Sequence, residues 1–315
     1  MTGATGFIGR SLITRMLLHD NYDIYAVVRK ISSDFPANVK QLEFNEISPN
    51  TNWGKALQGI DCVIHTAARV HVMLDTSNDP LSEFRFVNTL ATLNLAQQAA
   101  ESGVKRFVYL SSIKVNGEAS LPEHPFKPDD SFVPTDPYAL SKYEAEKGLR
   151  EISNEADLEV VILRPPLVYG PGVKANFLDM MKWLNKGIPL PFGAIHNKRS
   201  IVALDNLVDL IITCITHPAA ANQTFLVSDG EDLSTTELLN RVASALGKKS
   251  RLLPVNQKLL ETCLRIIGKN NLAMRLSSSL QIDMSKTKKL LNWSPPSNIN
   301  DGLDITAQYF LASKS

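Results

Sequence analysis

Along the first half of the chain, short unbroken apolar runs alternate with longer stretches in which apolar residues recur every three or four positions. The runs at 23–28, 62–65, 106–110 and 158–163 predict strands. They lack the polar–apolar alternation of a sheet with one wet face, which suits parallel strands covered on both sides. The periodic stretches 7–18, 83–102 and 138–153 predict helices. In 83–102, Phe86, Leu90, Leu93 and Ala96 fall near helical spacing and are expected to form one buried stripe. Strand–helix alternation of this kind predicts an α/β fold, a doubly wound parallel sheet with right-handed crossovers.

The pattern changes at Pro165. Residues 164–172 are dense in Pro and Gly and should be irregular. Beyond them the periodicity predicts helices at 176–187, 205–217, 234–246 and 257–267, with few strands. This places a soft boundary near residue 164. Residues 1–163 are expected to form the strand–helix part, and 164–315 a smaller, mainly helical part, partly interleaved with the first. No linker separates them, so a cleft between closely packed halves is expected.

Composition narrows the function classes. The 315 residues carry 33 Lys+Arg against 32 Asp+Glu, a formal charge of +1, so no global field draws the chain to nucleic acid or to a membrane surface. Apolar residues make up 44%, which argues against disorder. No apolar run approaches the roughly 18 residues of a membrane span. Cys62, Cys214 and Cys263 are far apart and odd in number. They read as buried thiols in a reducing, cytoplasmic setting, not as a disulfide frame or a zinc site. His71, His196 and His217 offer no metal-ligand spacing, and no metal is expected.

The chemistry starts at the N-terminus. Gly3, Gly6 and Gly9, within Thr2-Gly-Ala-Thr5-Gly-Phe7-Ile8-Gly9, open the first helix. Glycines at this spacing let the backbone turn tightly and approach a pyrophosphate seated on a helix N-terminus. About 20 residues on, an acid would bind the ribose 2′-hydroxyl of NAD. Position 29 is Arg29, followed by Lys30, which tilts the cofactor toward NADP through a contact to a 2′-phosphate. Such a loop also needs a hydrophobic strand before it, at the sheet centre, and this chain starts at Met1-Thr2. Loss of a central strand leaves ladder groups unpaired, so the stated N-terminus is expected to be truncated or mis-started by several residues.

A second constellation follows the strand at 106–110. Ser111-Ser112 stand at its end, and Tyr138 and Lys142 lie one turn apart on a helix started by Asp136-Pro137. A phenol near pKa 10 is a poor base at neutral pH; a neighbouring ammonium would lower it, and a serine hydroxyl would hold the substrate oxygen. Tyr143 and Lys147 repeat the spacing. Tyr143 lies about 140° further around the helix, so it cannot share the site and is assigned to packing or surface.

Taken together, these residues resemble the extended short-chain dehydrogenase/reductase family, in its nucleotide-sugar epimerase/dehydratase branch. The similarity runs through the glycine loop, Val63-Ile-His65-Thr-Ala67-Ala68, Val87-Asn88-Thr89, Leu110-Ser-Ser112 and Tyr138…Lys142. It continues in Arg164-Pro165…Val168-Tyr-Gly-Pro-Gly172 and Arg199-Ser-Ile-Val-Ala-Leu-Asp205. The resemblance implies a Rossmann-type sheet. It implies catalytic Ser112, Tyr138 and Lys142, and a cofactor, NADP or NAD, against Gly3, Thr5, Gly6, Phe7, Ile8, Gly9, Arg29, Ala67, Ala68, Asn88, Tyr138, Lys142, Pro165 and Val168. It implies a UDP-sugar near Asn176, Phe177, Phe192, Arg199 and Arg275. His65 reads as a packing histidine at a strand end. The segments 68–73 and 112–118 are closest to bacterial surface-polysaccharide enzymes of O-antigen type. Two reactions stay open: reduction of a UDP-4-keto-6-deoxy-N-acetylhexosamine at C4, favoured by Arg29, and C4 epimerisation of a UDP-hexose with tightly held NAD. A non-catalytic NADP sensor has no use for the serine, tyrosine and lysine together. A homodimer through the helices at 83–102 and 138–153 is expected from the family.

Overall fold

A computed structural model of the chain describes residues 1–19, 21–70, 79–121, 123–266, 268 and 276–313. Strands β3 (Cys62–His65), β4 (Arg106–Leu110), β5 (Glu159–Arg164) and β8 (Thr224–Leu226) form one parallel ladder in that order. Strands β1 (Ile24–Val28) and β2 (Val39–Glu43) form a second. Met1 and Thr2 lie between them, in the place of the strand expected ahead of the glycine loop. Val27 N–H donates to the Met1 carbonyl at 2.8 Å, and Thr2 N–H donates to the Ile64 carbonyl at 3.0 Å. These two residues join both ladders into one sheet.

Each central strand is buried on both faces, which is why its sequence shows no alternation. In β4, Val108 points to one side, among Leu12 and Ile13 of α1 (Phe7–Met16) and Leu207 and Ile211 of α7 (Leu204–Thr216). Phe107 and Tyr109 point to the other, among Leu95 and Ala99 of α4 (Ala91–Glu101) and Leu149 of α5 (Pro137–Glu155). Helices therefore cover both faces of a parallel sheet, the Rossmann-like arrangement expected from the pattern.

Three expectations need correction. The helix at 83–102 is interrupted: α3 (Pro80–Phe84) runs into a π-helical turn at Arg85–Leu90 before α4 begins. A π turn adds a residue per turn and rotates everything after it by about 100°. The inward residues are thus Phe84, Asn88, Thr92, Leu95 and Ala99, while Phe86 and Leu90 are 43% and 50% exposed. Second, the region after Pro165 is not poor in strands. β6 (Leu167–Tyr169), β7 (Arg199–Ala203) and β9 (Asp232–Leu233) form their own small sheet, and β8 returns to the main one. Short strands of two to five residues carry too little pattern to be seen against the helices around them. The small sheet shares a core with α6 (Ala175–Asn185), α8 (Thr235–Ala245) and the helix at Ile299–Ala312. Third, Cys214 is buried and Cys62 partly so, but Cys263, on α9 (Gln257–Ile266), is exposed.

Candidate functional site

The glycine loop is shaped by close approach. Gly3 has φ +69°, and a Cβ there would lie 2.5 Å from Thr66 Oγ1 and 2.7 Å from Ala67 N. A Cβ on Gly9 would collide with the Gly3 carbonyl. Larger residues would push the turn away from the loop after β3. Helix α1 has Gly6 at its N-cap, and no side chain caps its first amides. Thr5 and Gly6 are exposed, with Phe7 and Ile8 half-buried behind them. The open N–H groups and the dipole at this end fit an anionic diphosphate. The donors and the absence of side-chain bulk match the group that the sequence implies, a dinucleotide.

Beneath the loop, His65 is a structural clamp. Its Nδ1 pairs with Thr2 Oγ1 at 2.7 Å and its Nε2 with Thr92 Oγ1 at 3.0 Å. Burial, with the nearby Lys142 charge, pushes its pKa down to about 3, so it stays neutral in the fold. Asn88, in the π turn, is buried and fully engaged. Its Oδ1 accepts from Arg69 N–H at 2.8 Å, and its Nδ2 donates to the Arg69 carbonyl at 3.0 Å and to Ser141 Oγ at 3.1 Å. It therefore reaches the site through the loop 66–69, which carries Ala67 and Ala68, and not by its own side chain. The wider π turn is what brings Asn88 inward, and π turns recur at functional sites for this reason.

Ser112, Tyr138 and Lys142 come together at the C-terminal end of β4, where open α/β sheets bind their ligands. Asp136 caps α5, accepting from Ala139 N–H at 2.9 Å, with Pro137 in the first turn. This start presents Tyr138 toward Ser112, whose hydroxyl acts on the phenol and lowers its pKa. Ile113 N–H donates to the Pro165 carbonyl at 3.0 Å, tying the Ser112 turn to the exit of β5. Lys142 is 1% exposed; its Nζ donates to the Leu110 carbonyl at 3.0 Å and lies 4.6 Å from the Tyr109 ring centroid. Its other donors have no protein acceptor among the described residues.

The charge balance differs from the one expected. Burial pushes the Tyr138 phenol up to about 12, against a smaller lowering by Ser112. Burial also brings the Lys142 ammonium down to about 7, with Glu146 opposing. The lysine does not by itself make the phenol acidic: burial dominates both groups, and neither is among the causes acting on the other.

The sequence reading missed the support one turn further on. Glu146 is fully buried and accepts from Arg164 Nε at 2.8 Å, from Ser111 Oγ at 2.6 Å and from Arg150 at 2.9 Å. Arg164 also donates to Asn116 Oδ1 at 2.9 Å and to the Pro128 carbonyl at 3.1 Å. The signal was available: Tyr138, Lys142 and Glu146 are spaced by four on one helix, so an acid follows on the same face.

The remaining candidates lie at the crevice edge or outside it. Arg29, just past β1, is exposed and makes no ion pair among the described residues. Pro165 is buried and Val168 half-buried at the exit of β5. Asn176 is exposed near the start of α6. Phe177 is a correction: its ring is 3% exposed, stacked on Tyr169 with centroids 5.6 Å apart, and its side chain packs the second core instead of facing a ligand. Apolar periodicity puts it there, one residue past the polar Asn176. Phe192 is half-buried, and its carbonyl accepts from Thr236 Oγ1 at 2.6 Å. Arg199 opens β7 and donates to the Ser278 carbonyl at 3.1 Å. Arg275 lies outside the described residues.

Comparison with known proteins bears on the family and the fold. The model of the NAD dependent epimerase/dehydratase family matches residues 1–228. A UDP-glucose 4-epimerase of Vibrio cholerae is 47% identical over 100% of this chain and 96% of its own. An N-acetyl-alpha-D-glucosaminyl-diphospho-ditrans,octacis-undecaprenol 4-epimerase of Escherichia coli O157:H7 is 28% identical over 98% of this chain and 94% of its own. Among solved structures, a UDP-glucuronic acid 4-epimerase from Bacillus cereus in complex with NAD superposes with a TM-score of 0.80 at 21% identity, covering 100% of this chain and 98% of that one.

Proposed function

The chain belongs to the NAD dependent epimerase/dehydratase family, and from that premise we propose that it is a nucleotide-sugar 4-epimerase, inverting C4 of a UDP-hexose with NAD that it retains. The observation that carries this is the meeting of Ser112, Tyr138 and Lys142 beside the glycine cradle. The 47% identical relative is a 4-epimerase, which favours inversion over net 4-keto reduction.

The first turn of α1 (Phe7, Ile8, Gly9) with Gly3, Thr5 and Gly6 would hold the dinucleotide diphosphate. The loop Ala67–Ala68 with Pro165 and Val168 would flank the nicotinamide, and spare Lys142 donors would take its ribose hydroxyls. Bound NAD supplies a hydride acceptor and, when oxidised, a positive ring. Tyr138 would accept the proton from the C4 hydroxyl and later return it. Ser112 would hold the C4 oxygen through both events, so that only the face of the sugar changes. Lys142, desolvated and near neutral pKa, would stabilise the phenolate while it exists. On the far side, Arg199, Asn176 and Phe192 would take the UDP moiety, with Arg275 from outside the described residues. Residues 1–163 would thus serve the cofactor and 164–315 the sugar nucleotide. The exposed Phe86 and Leu90 beside α5 would form a homodimer contact.

Arg29 supports a second reading, NADPH-driven 4-keto reduction. One experiment separates them. UDP-glucose incubated with the protein and no added cofactor should give UDP-galactose by NMR, with no net change in nicotinamide absorbance. Tyr138→Phe should lower turnover by about 10²–10⁴-fold while leaving bound NAD in place. Steady NADPH consumption with a UDP-4-keto sugar, and no inversion of UDP-glucose, would establish the reductase instead.

A further inference from the structure

The near-zero net charge hides a local asymmetry. Residues 246–266 hold Lys248, Lys249, Arg251, Lys258 and Arg265 against a single acid, Glu261: five minus one is +4, in a chain whose total is +1. Lys248, Lys249, Arg251 and Lys258 are exposed and make no ion pair among the described residues. Arg265 reaches only Glu261 on its own helix, at 4.0 Å. Five cations with one acid among them raise a local positive potential.

Apolar side chains stand among these cations. Helix α6 ends in a tight turn in which Gly187 N–H donates to the Leu184 carbonyl at 3.0 Å and Ile188 N–H to the Trp183 carbonyl at 3.2 Å. That pattern commonly brings the two side chains into contact with one another. Here Trp183 and Ile188 are exposed. The chain that follows is stitched to 251–253: Leu190 N–H donates to the Arg251 carbonyl at 3.0 Å, and Leu253 N–H to the Leu190 carbonyl at 2.8 Å. Leu253 is exposed beside them. On α9, Leu260 turns inward, while Leu259 and Ile266, seven residues apart on one stripe, are 58% and 78% exposed. Lys258 and Arg265 form the adjacent stripe.

We propose that this face, built from the end of α6, residues 248–253 and α9, docks on an anionic lipid bilayer surface. The occupant follows from the charge and the shape. Exposed Trp, Ile and Leu flanked by an excess of exposed Lys and Arg match the headgroup boundary, where apolar groups enter and cations meet anionic lipid. A protein partner of ordinary composition offers no matching excess of negative charge, and nucleic acid gives no reward for burying Leu259 and Ile266. Contact is at the surface, since among the described residues no helix is long and apolar enough to cross a membrane. The face adjoins the crevice rim, because Gly193 N–H donates to the Leu253 carbonyl at 2.9 Å.

Flotation with vesicles of phosphatidylcholine and phosphatidylglycerol tests this on the full chain. Binding is expected at 50 mM salt, with none to phosphatidylcholine alone and a steep loss at 0.5 M salt. Reversing three charges (K248E, K249E, R251E) should weaken binding by at least about a hundredfold, at about fivefold for each cation lost and more for each acid introduced. The polar pair L259S and I266S should also weaken it severalfold. Neither variant touches the crevice, so C4 inversion of dissolved UDP-glucose should be unchanged; binding is read whether or not turnover is found. Failure of wild-type protein to float with anionic vesicles overturns the proposal, whatever the variants do. So does binding indifferent to the L259S/I266S pair and competed equally by heparin, which marks a general polyanion site. A change in oligomeric state in the variants without lipid binding assigns the face to a second copy of the chain, and also overturns it.

Discussion

His65 and Lys142 show how far a residue's chemistry depends on what surrounds it. Both are buried near the site, and both are held below their ordinary pKa by loss of water. For His65 the folded value of about 3 lies below the ordinary 6.5. Between those values the unfolded chain binds a proton that the fold excludes, so stability rises with pH across the window and is lost as pH falls through it. His65→Asn should flatten that acid limb, at up to about 1.36 kcal/mol per pH unit, read from urea midpoints between pH 6.5 and 4. Lys142 has a kinetic signature. The ionisation near 7 should appear in kcat/KM, and Lys142→Met should remove it while lowering turnover about a hundredfold or more. A profile identical in the variant would take Lys142 out of the reaction. At this scale the grouping of Tyr138, Lys142 and Ser112 was legible from spacing together with a helix start and a strand end, whereas the direction of the Tyr138 shift was not, because desolvation is set by neighbours distant in sequence.

Elements explain why the site holds its shape. The π turn at Arg85–Leu90 turns Asn88 inward, so that one amide fastens the loop after β3 to α5. Asn88→Ala leaves two backbone groups of Arg69 and the Ser141 hydroxyl short of a partner. NAD retention should fall by about 10–100-fold in equilibrium dialysis, the range seen when supporting hydrogen bonds of ligand-holding groups are removed, with helical circular dichroism unchanged. Strong periodicity over ten or more residues located α1, α5, α7 and α8 to within about two residues. A π turn has no periodicity of its own, so the one at 85–90 was invisible, and the stripe through Phe86 and Leu90 was assigned to the wrong face. The capping signals at Asp136-Pro137 worked because they act within a single turn.

The whole molecule is held together by buried charge and by chain crossing. Glu146 and Arg164 pair inside the fold, joining α5 to the end of β5 and, through Asn116 and Pro128, to the segment after Ser112. Glu146→Ala leaves the Arg164 charge buried without its partner and should cost about 3–5 kcal/mol, while Glu146→Leu with Arg164→Met should recover much of it. Thermal unfolding of the two variants is the check; equal losses would show that the pair does not act as a unit. β8, from beyond the soft boundary, completes the main sheet beside β5. Residues 1–163 expressed alone would leave the edge at Ile162–Leu163 bare and should not give a soluble, cooperative fold, whereas the full chain should melt in a single calorimetric transition.

By itself the sequence determined the alternation of strands and helices, the glycine turn, and the placement of Ser112 at a strand end with Tyr138 and Lys142 in the first turns of a helix. Each of these is written in side-chain periodicity, in backbone freedom at glycine, or in capping within one turn, and needs no knowledge of distant residues. Only the tertiary structure decided which face Phe86 and Leu90 take, that Phe177 packs a core, that β8 rejoins the first sheet, and that Glu146 meets Arg164 under the site. Those outcomes depend on burial and on partners many residues away in the chain, and desolvation and long-range pairing leave no local trace in the order of amino acids.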